Sequence, residues 1–359
     1  MRPARLAALR EVLGKADLDA LLISSLPNIR YLTGFSGSNA LLLVSALECV
    51  MLTDFRYATQ VEEEVGDAAV VRIEPTSLWN GVWPSLSAMA GVERVGFESA
   101  HLLHKDFTRL LEQGSRWQWR PATDLVEALR EIKDDGEIAA IERAVAMAER
   151  ALAATLQELR AGLTETALAG LLERNLRGQG SEAYPFASIV ASGPRSALPH
   201  ARTSDRVLER GDFVLIDFGA VAGGYCSDVT RTVVLGTASD AHREVYGIVR
   251  EANARASGAL RVGMKGMAAD AVAREYIDAR GHGGAFGHSL GHGIGLEVHE
   301  GPRLARTIET PLAAGMVVTV EPGIYLPGFG GVRIEDDVLL TASGPRVLTG
   351  FDRSLLEIA

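Results

Sequence analysis

Residues 211–219 read GDFVLIDFG, and residues 315–323 read GMVVTVEPG. In each, a glycine opens an apolar, largely β-branched run. A carboxylate stands six residues after that glycine, Asp217 in one stretch and Glu321 in the other, and a second glycine follows two residues later. Such a run predicts a buried strand that ends in an acid. An isolated buried carboxylate is costly and tends to take up a proton instead. Building the feature twice points to a positive charge that Asp217 and Glu321 both face. For either stretch alone, an ordinary strand-to-turn transition accounts for the residues as well, because Gly and Asp often follow strands.

Outward from these strands, each is followed by a turn and another acid. YCSDVTR (225–231) places Asp228 eleven residues after Asp217, across GAVAGG. GVRIEDD (331–337) places Glu335 fourteen residues after Glu321, across PGFGG. Two facing strands in each case bring the second carboxylate back to the first, so Asp217, Asp228, Glu321 and Glu335 are expected in one pocket. Four clustered carboxylates repel strongly unless cations sit among them. Two divalent ions balance them, and an oxygen-rich set with an imidazole suits Mn²⁺, Co²⁺ or Zn²⁺ better than a thiolate site would. Such a pair sits ~3.5–4 Å apart and activates a water.

The imidazole comes from GHSLGHGIGLEVHE (287–300), which holds His288, His292 and His299, three of the chain's eight histidines. This is no HExxH helix: HSLGH lacks the glutamate, and its glycines disfavour a helix. The glycines are expected to let the backbone pass close to a crowded site. One histidine as ligand leaves two for hydrogen-bonding a substrate carbonyl. A satisfied structural imidazole is the alternative for any one of them.

The 359 residues leave room for two domains. A hydrophobic share of 47%, a charged share of 23% and a net charge of −10 describe an ordinary globular protein, and the acidic balance argues against nucleic acid or an anionic membrane as partner. The first twenty residues carry charge throughout, so no secretory leader is expected. ALLLV (40–44) is too short to span a bilayer. Cys49 and Cys226 lack metal-site or disulfide spacing and are expected to be small buried hydrophobes. A cytoplasmic location is the expectation.

In the front third, strands are predicted at 18–24, 39–44, 49–53 and 69–74, helices near 56–65, 104–113 and 122–132, and a turn at GFSGSN (34–39). The character changes around IKDDGE (132–137), which places a boundary within 125–135. Beyond it, apolar residues at three- and four-residue spacing predict helices over 137–160 and 164–178, the latter capped by Thr164 and stopped by Gly178. Two more are predicted at 239–260 and 266–280, ending at Gly281.

Taken in order, DFGAVAGGYCSDVTR, GHSLGHGIGLEVHE, MVVTVEPGIY and GVRIEDD resemble the pita-bread-fold metallopeptidases, in the branch of aminopeptidase P and prolidase. The match runs over roughly the last 230 residues, and the front third resembles the creatinase-type N-terminal domain of that branch. The resemblance implies an α/β (α+β) chain with a creatinase-type domain over 1–128 and a pita-bread catalytic domain over 129–359. It implies an exopeptidase that cleaves between an N-terminal residue and a following proline. Asp217, Asp228, His292, Glu321 and Glu335 match the ligands of two divalent ions, Mn²⁺ first, with Zn²⁺ and Co²⁺ as alternatives. Asp228 and Glu335 would bridge the ions, Asp217 would bind one, and His292 and Glu321 the other.

Glu321 would also shuttle a proton. His299 matches a histidine on the scissile carbonyl, His288 one near the proline side, and His200 one on the scissile amide. Arg333 matches an arginine beside the site, the alternative being an ion pair with Asp336 or Asp337. Expected partners are small peptides with proline second and another copy of the chain in a homodimer, with neither nucleic acid nor membrane. Three rivals stand beside this reading. Methionine aminopeptidases share the ligands but usually lack such an N-terminal domain and the VRIEDD form. Creatinase works without the metal set, and non-catalytic pita-bread binding proteins have typically lost ligands. A preference for dipeptides or for longer peptides is left open.

Overall fold

The computed structural model describes residues 2–359, which divide into two compact units between Arg130 and Glu131. The first unit is built on a six-stranded sheet in the order Val70–Ile73, Cys49–Thr53, Ala40–Ser45, Ala20–Ile23, Arg94–Glu98, Gln118–Ala122. Ala40–Ser45 runs antiparallel to both neighbours, and the other pairs are parallel. The four predicted strands are all present, and the strands Ala20–Ile23, Ala40–Ser45 and Cys49–Thr53 are buried along their whole length, as continuous apolar runs require.

The helix predicted over 122–132 shrinks to Glu127–Arg130. Residues 118–122 join the sheet edge instead, and Asp124 adopts a left-handed backbone with φ 56° that no α-helix accommodates. Three further helices, Arg2–Lys15, Leu26–Thr33 and Leu78–Ala88, were not anticipated; the last carries Pro84 in its interior, a residue that ordinarily argues against a helix. Both cysteines are buried free thiols. No helix among the described residues is long and apolar enough to cross a membrane.

The second unit repeats one plan twice. Helices Asp135–Glu158 and Glu165–Gly178 precede strands Ile189–Ser192, Phe213–Phe218 and Val229–Leu235, and helices Asp240–Ala259 and Gly266–Asp278 precede strands Gly291–Gly293, Val317–Val320 and Asp336–Thr341. In each trio the second strand lies in the middle, antiparallel to both others. Between the second and third strands each half inserts a small hairpin, Val221–Ala222 with Tyr225–Cys226 and Gly323–Leu326 with Gly330–Arg333.

Local chemistry fixes the helix starts. Asp134 and Glu137 form a reciprocal capping box, Ser239 and His242 form another, and the Thr164 hydroxyl accepts from the Ala167 amide. Gly178 is the last residue of its helix, and the left-handed exit falls at Gly180 (φ 95°). The buried faces then pack on the strands: Ala148, Leu152, Leu168 and Leu172 against Val214 and Ile216 in one half, Val249, Ala252, Ala273 and Ile277 against Val318 and Val338 in the other. Each large side chain so buried contributes roughly 1.5–3 kcal/mol. The two packed layers hold the strand ends, where the acids sit, in fixed register.

Candidate active site

The register sets the acids side by side. Thr230 pairs with Asp217 and Val229 with Phe218, so Asp228 stands one residue before the ladder begins. The hairpin between them turns on Gly223 and Gly224, with φ of 60° and 82°, the left-handed pair that a two-residue turn demands. In the other half Val320 pairs with Asp336, which brings Glu321 and Glu335 to adjacent strand ends.

His292 lies on the short strand Gly291–Gly293, held between Glu300–Leu304 and Val317–Val320, with a bulge between His292 and Gly293. A Cβ at Gly291 would stand 2.0 Å from the Thr319 carbonyl oxygen, and one at Gly293 would stand 1.9 Å from the Gly301 carbonyl oxygen. The glycines therefore serve close backbone approach. Gly293→Ala is expected to lower the melting temperature by several degrees, since about 1 kcal/mol corresponds to a shift of a few degrees in a chain of this size. An unchanged thermal melt would show that the strand relaxes freely.

Asp217, Asp228, His292, Glu321, Glu335, His200, His288, His299 and Arg333 all line one cavity of about 390 Å³, together with Phe186, Ile189, Pro199 and Arg303 among others. A larger cleft of about 580 Å³ lies in the first unit around Asn39, Asp54 and Glu74. Asp54 there is committed to Arg56 and Asn39. The one group of metal-ligating side chains found among the described residues is Asp228, His292 and Glu335, whose ligand atoms lie within 4.8 Å of one another. The chemistry therefore gathers in the smaller cavity.

His292 Nδ1 lies 3.0 Å from the Gly293 carbonyl oxygen. A carbonyl only accepts, so Nδ1 carries the proton, and Nε2 is left with its lone pair toward Glu321 Oε1 at 3.4 Å and Asp228 Oδ2 at 3.7 Å. Burial holds His292 down at about 4, in the neutral form a ligand needs. Burial pushes the Asp228 and Glu335 carboxyls well up, and neighbouring acids add to it: Glu335 and Asp217 for Asp228, Glu321 and Asp217 for Glu335. Burial likewise pushes Glu321 to about 8, against the pull of Arg333. Asp217 Oδ1 and Asp228 Oδ1 are buried without a hydrogen-bond partner. Acids that resist ionising together, orphaned oxygens and a neutral imidazole form a donor set that fits divalent cations.

The metal-free protein therefore carries a pH signature. Glu321 has a folded pKa above its unfolded value, so the folded state binds more protons between the two, and its contribution to stability falls as pH rises from about 4.5 towards 8. His292, held down at about 4, works the other way up to its ordinary value of 6.5, which leaves the acid to govern the window above that. We expect metal-free protein to melt at a lower temperature at pH 8 than at pH 6.5, and Mn²⁺ to reverse the trend. A rising melting temperature over that window without metal would contradict it.

Arg333 donates to Asp217 Oδ2, to the Tyr325 hydroxyl at 2.8 Å and to the Pro199 carbonyl at 3.1 Å. The alternative pairing with Asp336 or Asp337 does not occur. Asp336 is held by Arg231 and Arg353, each at 2.8 Å, and Asp337 accepts from the Asp228 amide at 3.2 Å. His288 donates from Nδ1 to the Ser289 carbonyl and accepts at Nε2 from the Tyr325 hydroxyl, both at 2.8 Å, so both its ring nitrogens are engaged. His200 and His299 are exposed, with the His299 ring 4.3 Å from that of His292. Tyr325 and Arg303 were missed in the sequence. Tyr325 stands four residues after Glu321, on the hairpin strand that returns toward Arg333; Arg303 carries no motif.

Against known proteins, the pattern of the Creatinase/Prolidase N-terminal domain matches residues 5–132. The chain is 37% identical to a Pyrococcus horikoshii protein named Xaa-Pro dipeptidase, over 96% of this chain and 97% of that one. Among solved structures, the Xaa-Pro dipeptidase from Bacillus anthracis superposes with a TM-score of 0.96 at 39% identity, covering 99% of this chain and all of that one. The X-Pro aminopeptidase from Thermotoga maritima does so with a TM-score of 0.91 at 40% identity, covering 98% and 99%. Residues 139–342, which carry every acid and histidine of the cavity, match Metallopeptidase family M24, and the chain belongs to that family.

Proposed function

We propose that this protein is a dinuclear-metal exopeptidase that hydrolyses the bond between an N-terminal residue and a following proline. The observation that carries the reading is the gathering of Asp217, Asp228, His292, Glu321 and Glu335 around one cavity, with buried oxygens of Asp217 and Asp228 lacking partners. Those five side chains would hold two divalent ions, Mn²⁺ first and Zn²⁺ or Co²⁺ as alternatives. Bound there, the ions supply an acidified water and polarise the scissile carbonyl.

The chain's own residues do the rest. Glu321 takes the proton of the attacking water and returns it to the departing prolyl nitrogen. His299, at the exposed mouth, donates to the carbonyl oxygen as charge develops on it. His200, beside Pro199, faces the scissile amide. That amide is tertiary and has no N–H to grip, and the ring fixes φ, so recognition falls to shape. Phe186, Ile189 and Pro199 offer an apolar wall, and His288, pinned through both nitrogens, offers a rigid one. Arg333 keeps Asp217 oriented.

Arg303 favours short substrates. Its guanidinium lies on the cavity lining near His299, where the free carboxylate of a dipeptide would end. We assign the protein to dipeptides with proline second, acting as a cytoplasmic homodimer. The second reading, an aminopeptidase for longer peptides, has the Thermotoga maritima structure in its favour. A panel of Xaa-Pro dipeptide, Xaa-Pro-Xaa tripeptide and a Met-Ala peptide separates the readings. Expected are cleavage of the dipeptide foremost, none of Met-Ala, and a KM for the dipeptide raised by about 10-fold or more in Arg303→Ala, the loss of one charge-assisted bond. Equal turnover of dipeptide and tripeptide, with no effect of Arg303→Ala, would select the second reading.

A further inference from the structure

Two buried threonines stand beside the site's glutamates, and both are fully shielded from solvent. Each occupies a strand position where a valine would pack as well without burying a hydroxyl, an unfavourable choice unless the hydroxyl is satisfied. Both are satisfied twice. Thr230 Oγ1 accepts from Arg333 Nε at 3.1 Å and stands 2.5 Å from Glu335 Oε2. Thr319 Oγ1 accepts from the His292 amide at 3.0 Å and stands 3.2 Å from Glu321 Oε1. A guanidinium N–H and a backbone N–H can only donate. Each hydroxyl therefore receives at its oxygen and keeps its single proton free for the glutamate, to which it donates whenever that carboxylate is ionised, as it is with cations beside it.

We propose that Thr230 and Thr319 are positioning residues, each locking one glutamate of the cavity, Glu335 and Glu321 respectively, in a single orientation toward the cations. This rests on the reading of the cavity as a two-ion site. Thr230 is the more constrained of the two, because its backbone also serves Glu335: the Glu335 amide donates to the Thr230 carbonyl at 3.2 Å. One residue thus holds Glu335 by main chain and side chain together. Thr230 further joins Glu335 to Arg333, which grips Asp217, so a single hydroxyl links the carboxylates of both halves of the fold. Thr319 joins Glu321 to the backbone of His292, the residue whose Nε2 stands 3.4 Å from Glu321 Oε1. Outer partners of this kind set ligand geometry before the ion arrives, and their loss typically costs about 10–100-fold in metal affinity.

The test uses Thr→Ser and Thr→Ala at each position. The two variants share the loss of the methyl group and differ by one oxygen. Metal-stripped protein is titrated with Mn²⁺ by calorimetry, with bound metal counted by elemental analysis, and metal-free melts are recorded in parallel. We expect the Ser variants to keep tight Mn²⁺ binding. The Ala variants should bind at least one Mn²⁺ about 10-fold or more weakly than their Ser counterparts, while the metal-free melting temperatures of each Ser/Ala pair stay close. Equal Mn²⁺ affinity within each pair would overturn the inference and leave the threonines as volume fillers. Should Thr230→Ala not fold, the Thr319 pair carries the same comparison. Parent protein that takes up no Mn²⁺ would instead overturn the two-ion reading itself.

Discussion

Chelation is expected to bring hydrolysis of an Xaa-Pro dipeptide down to background, and Mn²⁺ to restore it. The ground is electrostatic. Asp217, Asp228 and Glu335 are buried, and burial with mutual repulsion already drives Asp228 and Glu335 toward their protonated forms. With ions present, those charges are neutralised and the carboxylates ionise; without them the cavity retains no group able to acidify a water. Because the ions bind the folded state and not the unfolded chain, they also stabilise it, by about 2.7 kcal/mol at a concentration 100 times the Kd. Activity and melting temperature should therefore rise together in one Mn²⁺ titration. Full turnover by rigorously stripped protein would remove the metal from the chemistry and point to a creatinase-like reaction. Loaded protein that cleaves no peptide would point to a binding module.

Asp217→Asn is expected to lower kcat/KM by more than about 100-fold, beyond the 10–100-fold typical of residues one step removed from a metal. Asn keeps the shape and loses the charge. Two consequences follow from the geometry. Asp217 Oδ1, buried without a partner, is the oxygen free to meet a cation, so metal stoichiometry should fall. Asp217 Oδ2 is the anionic partner of the buried Arg333, and removing one member of a buried pair can cost about 3–5 kcal/mol. Arg333 keeps its bonds to Tyr325, Pro199 and Thr230, so the variant should still fold but melt earlier than its parent even without metal. Elemental analysis and paired melts separate the two effects. Normal turnover with normal metal content would take Asp217 out of the ligand set.

Much of this site could be read in advance, and particular residues explain why. Asp217 and Glu321 each close a β-branched run, so the acid's place at a strand end follows from periodicity within a few residues. Gly223, Gly224, Gly291 and Gly293 mark a tight turn and a close backbone approach, which are local demands that only glycine meets cheaply. The helices over 135–158 and 165–178 declare themselves through caps and three- and four-residue spacing.

What only the tertiary structure decided is set by partners distant along the chain. Residues 118–122 carry no strong strand pattern and become a strand because the edge of the Arg94–Glu98 strand offers an unpaired ladder. Whether Arg333 would meet an acid beside it in sequence or one 116 residues away was open, and packing chose Asp217. The pinning of His288 by Tyr325, the place of Arg303 on the cavity lining and the two-sided use of the Thr230 and Thr319 hydroxyls are likewise invisible in a linear string. Periodicity encodes which face of an element is buried; it does not encode which other element will cover that face. A hydrogen bond is directional and ends within about 3.2 Å, so its partner is known only once the elements have docked.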